Sequence, residues 1–120
     1  MKTHKDLEVW RGGIKLVEEI YQLTKHFPKE EIYGMISQIR RAAVSVPANI
    51  SEGAARNQTK DFIRFLRISQ GSLSEVETLL YISVLLGYLQ QDQIIKPEER
   101  IKKLTNQLIG LINALTRNYL

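Results

Sequence analysis

KEEIYGMISQIRRAAVSVPANISEGA, residues 29–54, is the stretch whose periodicity decides the fold. Ile32, Ile36, Ile39, Ala43, Val46 and Ile50 recur at helical spacing, the repeat of a helix that buries one face. Pro47 lies inside this pattern. It removes one backbone donor and crowds the preceding turn, so a kink or a local opening is expected there. Arg41, Ser45, Asn49 and Glu52 follow i, i+4, i+8, i+11 spacing along another side of the same helix. Small and polar residues so close to an apolar stripe predict a buried hydrogen-bonded network with a neighbouring helix, in which Ser69, Ser72 and Glu75 are the counterparts.

Helical patterns continue on both sides. Towards the N-terminus, Leu7, Trp10, Ile14, Val17 and Tyr21 form one stripe, and Leu16, Ile20, Leu23 and Phe27 form a second beside it. Asp6 can cap this helix and Pro28 ends it. Its two stripes read either as one broad core-facing band or as a core face plus an interface between copies. Beyond the central stretch, Arg56-Asn57-Gln58-Thr59 interrupts the chain, with Asn57 or Thr59 as cap. Phe62, Leu66, Ser69, Leu73, Val76 and Leu80 then carry a third helix to about Leu89. Gly71 and Ser72 lie mid-helix, where a glycine costs ~1 kcal/mol relative to alanine and permits close helix approach or a mild bend. Gln90 to Lys96 reads as a polar loop and Pro97 as the first turn of a fourth helix. Glu98 and Glu99 there suit the helix dipole, and Ile101, Leu104, Leu108, Leu111 and Leu115 supply the apolar face. No strand alternation, repeat or low-complexity tract interrupts this order. Four helices joined by short breaks predict an all-α, antiparallel up-down-up-down four-helix bundle, with residues 1–120 as one domain.

Composition narrows the function classes. The chain has 43% hydrophobic residues, 25% charged residues and no cysteine. No apolar run approaches the ~20 residues of a membrane span, and no hydrophobic stretch follows the charged start, so a cytoplasmic protein without membrane insertion is expected. Absent cysteine excludes disulfides, thiolate metal sites and thiol nucleophiles. The net charge of +4 is concentrated, because residues 40–67 hold six positive side chains against two negative ones and account for the whole excess. Those positives read either as a solvated helix face or as a phosphate-facing surface.

Few residues of the chain suggest catalytic or metal chemistry. A di-iron bundle needs Glu-x-x-His pairs, and none is present. His4 and His26 lie near opposite ends of the first helix and cannot share a metal by helical spacing. A phosphorelay histidine sits mid-helix, whereas Pro28 follows His26 almost at once. Glu75 and Glu77 are two apart on a helix and point in different directions, so they make a poor acid/base pair. Phosphate loop, nucleophile elbow and zinc motif are all missing. Neither metal nor organic cofactor is expected, and no catalytic residue.

The run Ser37-Gln38-Ile39-Arg40-Arg41-Ala42-Ala43-Val44-Ser45-Val46-Pro47-Ala48-Asn49-Ile50-Ser51-Glu52-Gly53 resembles the signature of the 23S rRNA intervening-sequence protein family. Leu7-Glu8-Val9-Trp10, Phe27-Pro28 with Glu31, Tyr33 and Gly34, and Gly71-Ser72-Leu73-Ser74-Glu75-Val76-Glu77-Thr78 agree with it, so the likeness covers nearly the whole chain. Departures are mild: Ser51 stands where relatives often have alanine, and Ser69-Gln70 where an alanine pair is common. The resemblance implies an all-helical bundle assembling as a ring-like homopentamer without a known catalytic residue. A related branch, the accessory variability protein of diversity-generating retroelements, binds nucleic acid through a basic surface. The motif residues Arg41, Ser45, Asn49, Glu52, Gly71, Ser72 and Glu75 are expected to serve packing, capping and assembly.

Two functions remain in view. In the first, Arg40, Arg56, Lys60, Arg64 and Arg67 contact the phosphates of RNA or DNA, with five-fold repetition turning a modest patch into a ring of charge. Few aromatics interleave these positions, so sequence readout by stacking is not indicated. In the second, the chain is a homo-oligomeric adaptor that recognises a partner protein, and its basic residues serve solubility.

Overall fold

The structure is a computed structural model that describes residues 3–119, the side chains of Asp6 and Tyr119 excepted. Its helices are α1 (Glu8–Thr24), α2 (Met35–Ala54), α3 (Thr59–Leu85) and α4 (Ile95–Tyr119), with short 3-10 turns at His4–Asp6, Lys29–Glu31 and Gln91–Ile94. No strand occurs among the described residues. Contacts between neighbours descend on one helix as they rise on the next. Gly13 lies against Pro47 and Thr24 against Arg40; Ser45 meets Ser72, and Gly53 meets Phe62 and Phe65. Glu8 meets Gln107 and Glu19 meets Arg100. Adjacent helices therefore run antiparallel, and α4 closes the bundle on α1.

The core lies along the axis, with Leu16, Ile20, Ile39, Val46, Ile50, Leu66, Leu73, Val76, Leu80, Leu104 and Leu108 fully buried. Burying each such side chain contributes ~1.5–3 kcal/mol before entropy is counted. Of the two stripes on α1, the one holding Leu16, Ile20 and Phe27 points inward, while Ile14 and Tyr21 from the other remain exposed. Val9, Gly13 and Thr24 complete the inward face. Gly13 is buried because α2 comes close: a β-carbon there would lie 3.4 Å from Pro47.

Several boundaries differ from the sequence expectation. Helix α2 starts at Met35, after Gly34, so Ile32 falls in the preceding turn and is exposed instead of joining the Ile36–Ile39 stripe. Helix α2 also runs unbroken through Pro47. The expected opening is absent, and the buried ring of Pro47 fits against the bare face of Gly13. The proposed Asp6 cap lies outside the described side chains, and Leu7 holds the N-cap position without a side-chain bond. Neither Asn57 nor Thr59 caps α3, whose N-cap is Gln58. Helix α3 stops earlier than Leu89, at a Schellman motif: Gly87 adopts φ 82°, its amide donates to Val84 O and that of Tyr88 donates to Ser83 O. Most of the expected polar loop before Pro97 is a 3-10 turn, capped reciprocally by Gln90 and Gln93. Pro97 sits in the first turn of α4, where a missing amide costs no intrahelical bond.

One carboxylate ties two connections together. Glu31 accepts a bond from the Met35 amide at 3.1 Å and another from the Tyr88 hydroxyl at 2.6 Å, so it caps α2 and anchors the α1–α2 connection to the segment after α3. A β-carbon at Gly34 would collide with the Glu31 carboxylate. The Tyr88 hydroxyl and then the Met35 amide hold Glu31 below its ordinary value of 4.5, and the same carboxylate raises Tyr88 above its ordinary 10.0. Glu31 contributes stability that is present above pH 4.5 and lost as the pH falls through its lower folded value. The contribution of Tyr88 is complete below pH 10.0 and lost as the pH rises through its higher folded value. Tyr88→Phe should therefore show a smaller loss of stability than the parent between neutral and acid pH, read from denaturant midpoints. An unchanged acid limb would show that the link contributes nothing.

Candidate functional site

The polar residues of α2 and α3 meet along one seam. Ser45 and Ser72 hydroxyls lie 2.9 Å apart, and Asn49 Nδ2 donates to the Ser45 hydroxyl and to its carbonyl, both at 2.8 Å. Beneath them the buried Ser69 hydroxyl donates to Val46 O at 2.8 Å. Each small side chain thus finds a partner while the backbones stay close, which satisfies the buried polar groups. Arg41, Glu52 and Glu75 stand outside this network. All three are exposed, because the closeness of the helices leaves room between them for hydroxyls and one amide but not for long charged side chains. Gly71 is exposed as well, and a β-carbon there would meet nothing within 4 Å, so it permits no close approach inside this bundle.

The five expected phosphate contacts divide into two groups. Arg40 is drawn inward: its Nε donates to the buried Thr24 hydroxyl at 2.8 Å, and its guanidinium stacks 4.3 Å from the centre of the Tyr21 ring. Thr24 in turn donates to Ile20 O, so Arg40 clamps the C-terminal turn of α1, where a cation also suits the helix dipole. It lies roughly 20 Å up the bundle from Arg56.

Arg56, Lys60, Arg64 and Arg67 gather at the corner where α2 turns into α3, and all four are exposed. A β-carbon at Gly53 would come within 2.8 Å of Phe65 Cβ, so the two helices touch backbone to backbone there. This contact brings the Phe65 ring between two guanidiniums, with Arg64 at 4.5 Å and Arg56 at 5.1 Å from its centre. Arg56 also makes an exposed ion pair with Glu52 at 3.3 Å. Lys60, Arg64 and Arg67 have no ion-pair partner among the described residues. Lys60, in the first turn of α3, opposes the helix dipole, and with Arg64 it makes a like-charge i, i+4 pair costing ~0.2–0.5 kcal/mol.

The sequence pattern gave no sign of the Phe65 stack. Nor did it single out a groove of about 500 Å³ at the opposite end of the α2–α3 seam, lined by Tyr33, Gln38, Arg41, Ser45 and Glu75 among others. No break in the period separates Tyr33 from the helix, since Ile32 continues the spacing of Ile36 and Ile39. No group of three or more His, Asp or Glu side chains able to hold a metal occurs among the described residues, and no described helix is long and apolar enough to cross a membrane.

Comparison with known proteins agrees with this architecture. No curated protein matches the chain significantly. Four solved chains do. One is a Bacteroides thetaiotaomicron protein of unknown function from the S23 ribosomal protein family, 25% identical, with a TM-score of 0.79 over 87% of this chain and 97% of that one. The sequence profile of the 23S rRNA-intervening sequence protein family matches residues 5–110, taking in the α2–α3 seam, the basic corner and most of α4. The chain therefore belongs to the 23S rRNA-intervening sequence protein family.

Proposed function

We propose that this chain is a non-catalytic, cytoplasmic, homo-oligomeric protein that binds RNA or DNA phosphates through Arg56, Lys60, Arg64 and Arg67. The observation that carries this reading is the cluster at the α2–α3 corner, where three cations stand exposed and without ion-pair partners among the described residues. Arg56 and Arg64 are held by the Phe65 ring, which lowers the entropy lost when a guanidinium meets a phosphate. Arg40 is left out of the phosphate-binding set, since its guanidinium is engaged by Thr24 and Tyr21. Contacts to phosphate carry no sequence information, so the corner binds unrelated sequences alike. Fluorescence anisotropy with RNA and DNA oligonucleotides tests this: binding that weakens with salt supports it, and failure to retain RNA and DNA alike refutes it.

Self-association is the second element of the reading, and the family resemblance suggests a ring of five. Exposed Tyr81, Leu85, Leu86 and Ile95 lie at the end of the bundle remote from the basic corner, so copies could associate there and leave the corner open. The same apolar surface is what an adaptor for another protein would use. Light scattering at micromolar concentration should report a homo-oligomer, with five copies as the expected state. A species of 13.8 kDa would defeat this part of the proposal.

A further inference from the structure

The groove at the other end of the α2–α3 seam is unlike the basic corner. Arg41 and Glu75 line opposite helices of the same groove, are both exposed, and have neither an ion pair nor a hydrogen bond with any described residue. Opposite charges free in one groove present a guanidinium donor fork and a carboxylate acceptor pair to whatever enters. Tyr33 lines the same groove and is 94% exposed. A single exposed tyrosine means little by itself. Here it lines one groove with a charged donor and a charged acceptor, and its loop is fixed by Glu31 through Met35 and Tyr88. A phosphate is a poor occupant because Glu75 repels it. A planar base offering two adjacent acceptors on one edge and two adjacent donors on another is a good one.

We propose that this groove binds an unpaired guanine base, with Tyr33 stacking on its face, Arg41 donating to O6 and N7, and Glu75 accepting from N1–H and the N2 amino group. Among the common bases only guanine presents both edges. Adenine and cytosine cannot give a carboxylate two adjacent ring-and-amino donors, and uracil has no amino group. Gln38 and Ser37, which also line the groove, are further neutral donors and acceptors. The base could belong to a free nucleotide or to a single strand whose phosphates follow the seam to Arg64, roughly 16 Å away along α3. In the second case the proposal rests on the phosphate-binding reading above.

The test compares an oligouridine strand with the same strand carrying one central guanosine, using anisotropy at fixed salt, for the parent, Glu75→Gln and Tyr33→Ala. Both positions are exposed, so the fold should survive. The parent should prefer the guanosine strand by about tenfold. Glu75→Gln should erase that preference while leaving oligouridine affinity in place, and Tyr33→Ala should weaken the guanosine strand about tenfold. Equal affinity for the two strands, or a preference that Glu75→Gln leaves intact, overturns the groove. A salt slope still sensitive to Lys60 and Arg64 would then leave the basic corner standing. If neither strand binds, the basic-corner reading fails and guanosine monophosphate decides about the groove. Amide NMR shifts at Arg41 and Glu75 with guanosine but not adenosine or uridine monophosphate uphold it for a free nucleotide, and equal shifts or none overturn it.

Discussion

Lys60→Ala combined with Arg64→Ala should flatten the salt dependence of binding by about 1.4 for a single strand or about 1.8 for a duplex, per protomer engaged. Each phosphate contact releases condensed counterions, so each one lost removes about 0.7 or 0.9 from the slope of log affinity against log salt. If affinities converge near about 1 M salt, the double variant is weaker than the parent by roughly 25- to 60-fold at about 0.1 M. Folding should be unharmed, because both side chains are exposed and their like-charge pairing is lost along with them. Helicity and oligomeric state need checking in parallel. A folded double variant with the parent's affinity and slope would make these residues an ordinary solvated face, and the adaptor reading would take their place.

Gly53→Leu should cost about 3 kcal/mol, the upper end of overpacking penalties and a large share of a typical domain's stability. A β-carbon there lies 2.8 Å from Phe65 Cβ, 3.0 Å from Phe62 Cδ1 and 3.3 Å from the Phe62 carbonyl. A Cβ and a carbonyl cannot swing aside as a flexible side-chain tip can, so α2 and α3 must separate. Helix propensity works the other way, since leucine is the better helix former by under ~1 kcal/mol, and the clash exceeds it. Gly71→Ala is the control. Its β-carbon meets nothing within 4 Å, so propensity alone should act and stability should rise by ~1 kcal/mol. Denaturant titration reads both. A neutral Gly53→Leu would mean that the helices are not in backbone contact at this corner, and the Phe65 stack that depends on it would be in question.

Periodicity carried most of the architecture, because a period near 3.6 marks which side of each helix leaves water. Ile39, Ala43, Val46 and Ile50 are buried as their spacing requires, and so are Leu66, Leu73, Val76 and Leu80. Helix ends were harder to read. Gly34 and Gly87 each stop a pattern that apolar residues beyond them would continue, and a positive φ at Gly87 cannot be inferred from the residue type alone. The largest misreading concerns neighbours in sequence. Arg40 and Arg41 are one step apart, yet Arg40 reaches α1 at Thr24 while Arg41 lines the groove with Glu75. Which flank of α2 faces which helix depends on the hand of the bundle, and a hydrophobic period is the same for either hand. The unpaired Arg41 and Glu75 were invisible for the same reason. Their spacing suggested a network, whereas the closeness of α2 and α3 admits only Ser45, Asn49, Ser69 and Ser72.

If the α2–α3 corner is a phosphate-binding surface, the parent protein's own salt series must show it. An unrelated labelled single strand is titrated by anisotropy at several salt concentrations, and log affinity is plotted against log salt. With Arg56, Lys60, Arg64 and Arg67 all engaged, the line should be straight with a slope of about −2.8 per protomer. A slope indistinguishable from zero, with the protein folded throughout, would contradict the claim.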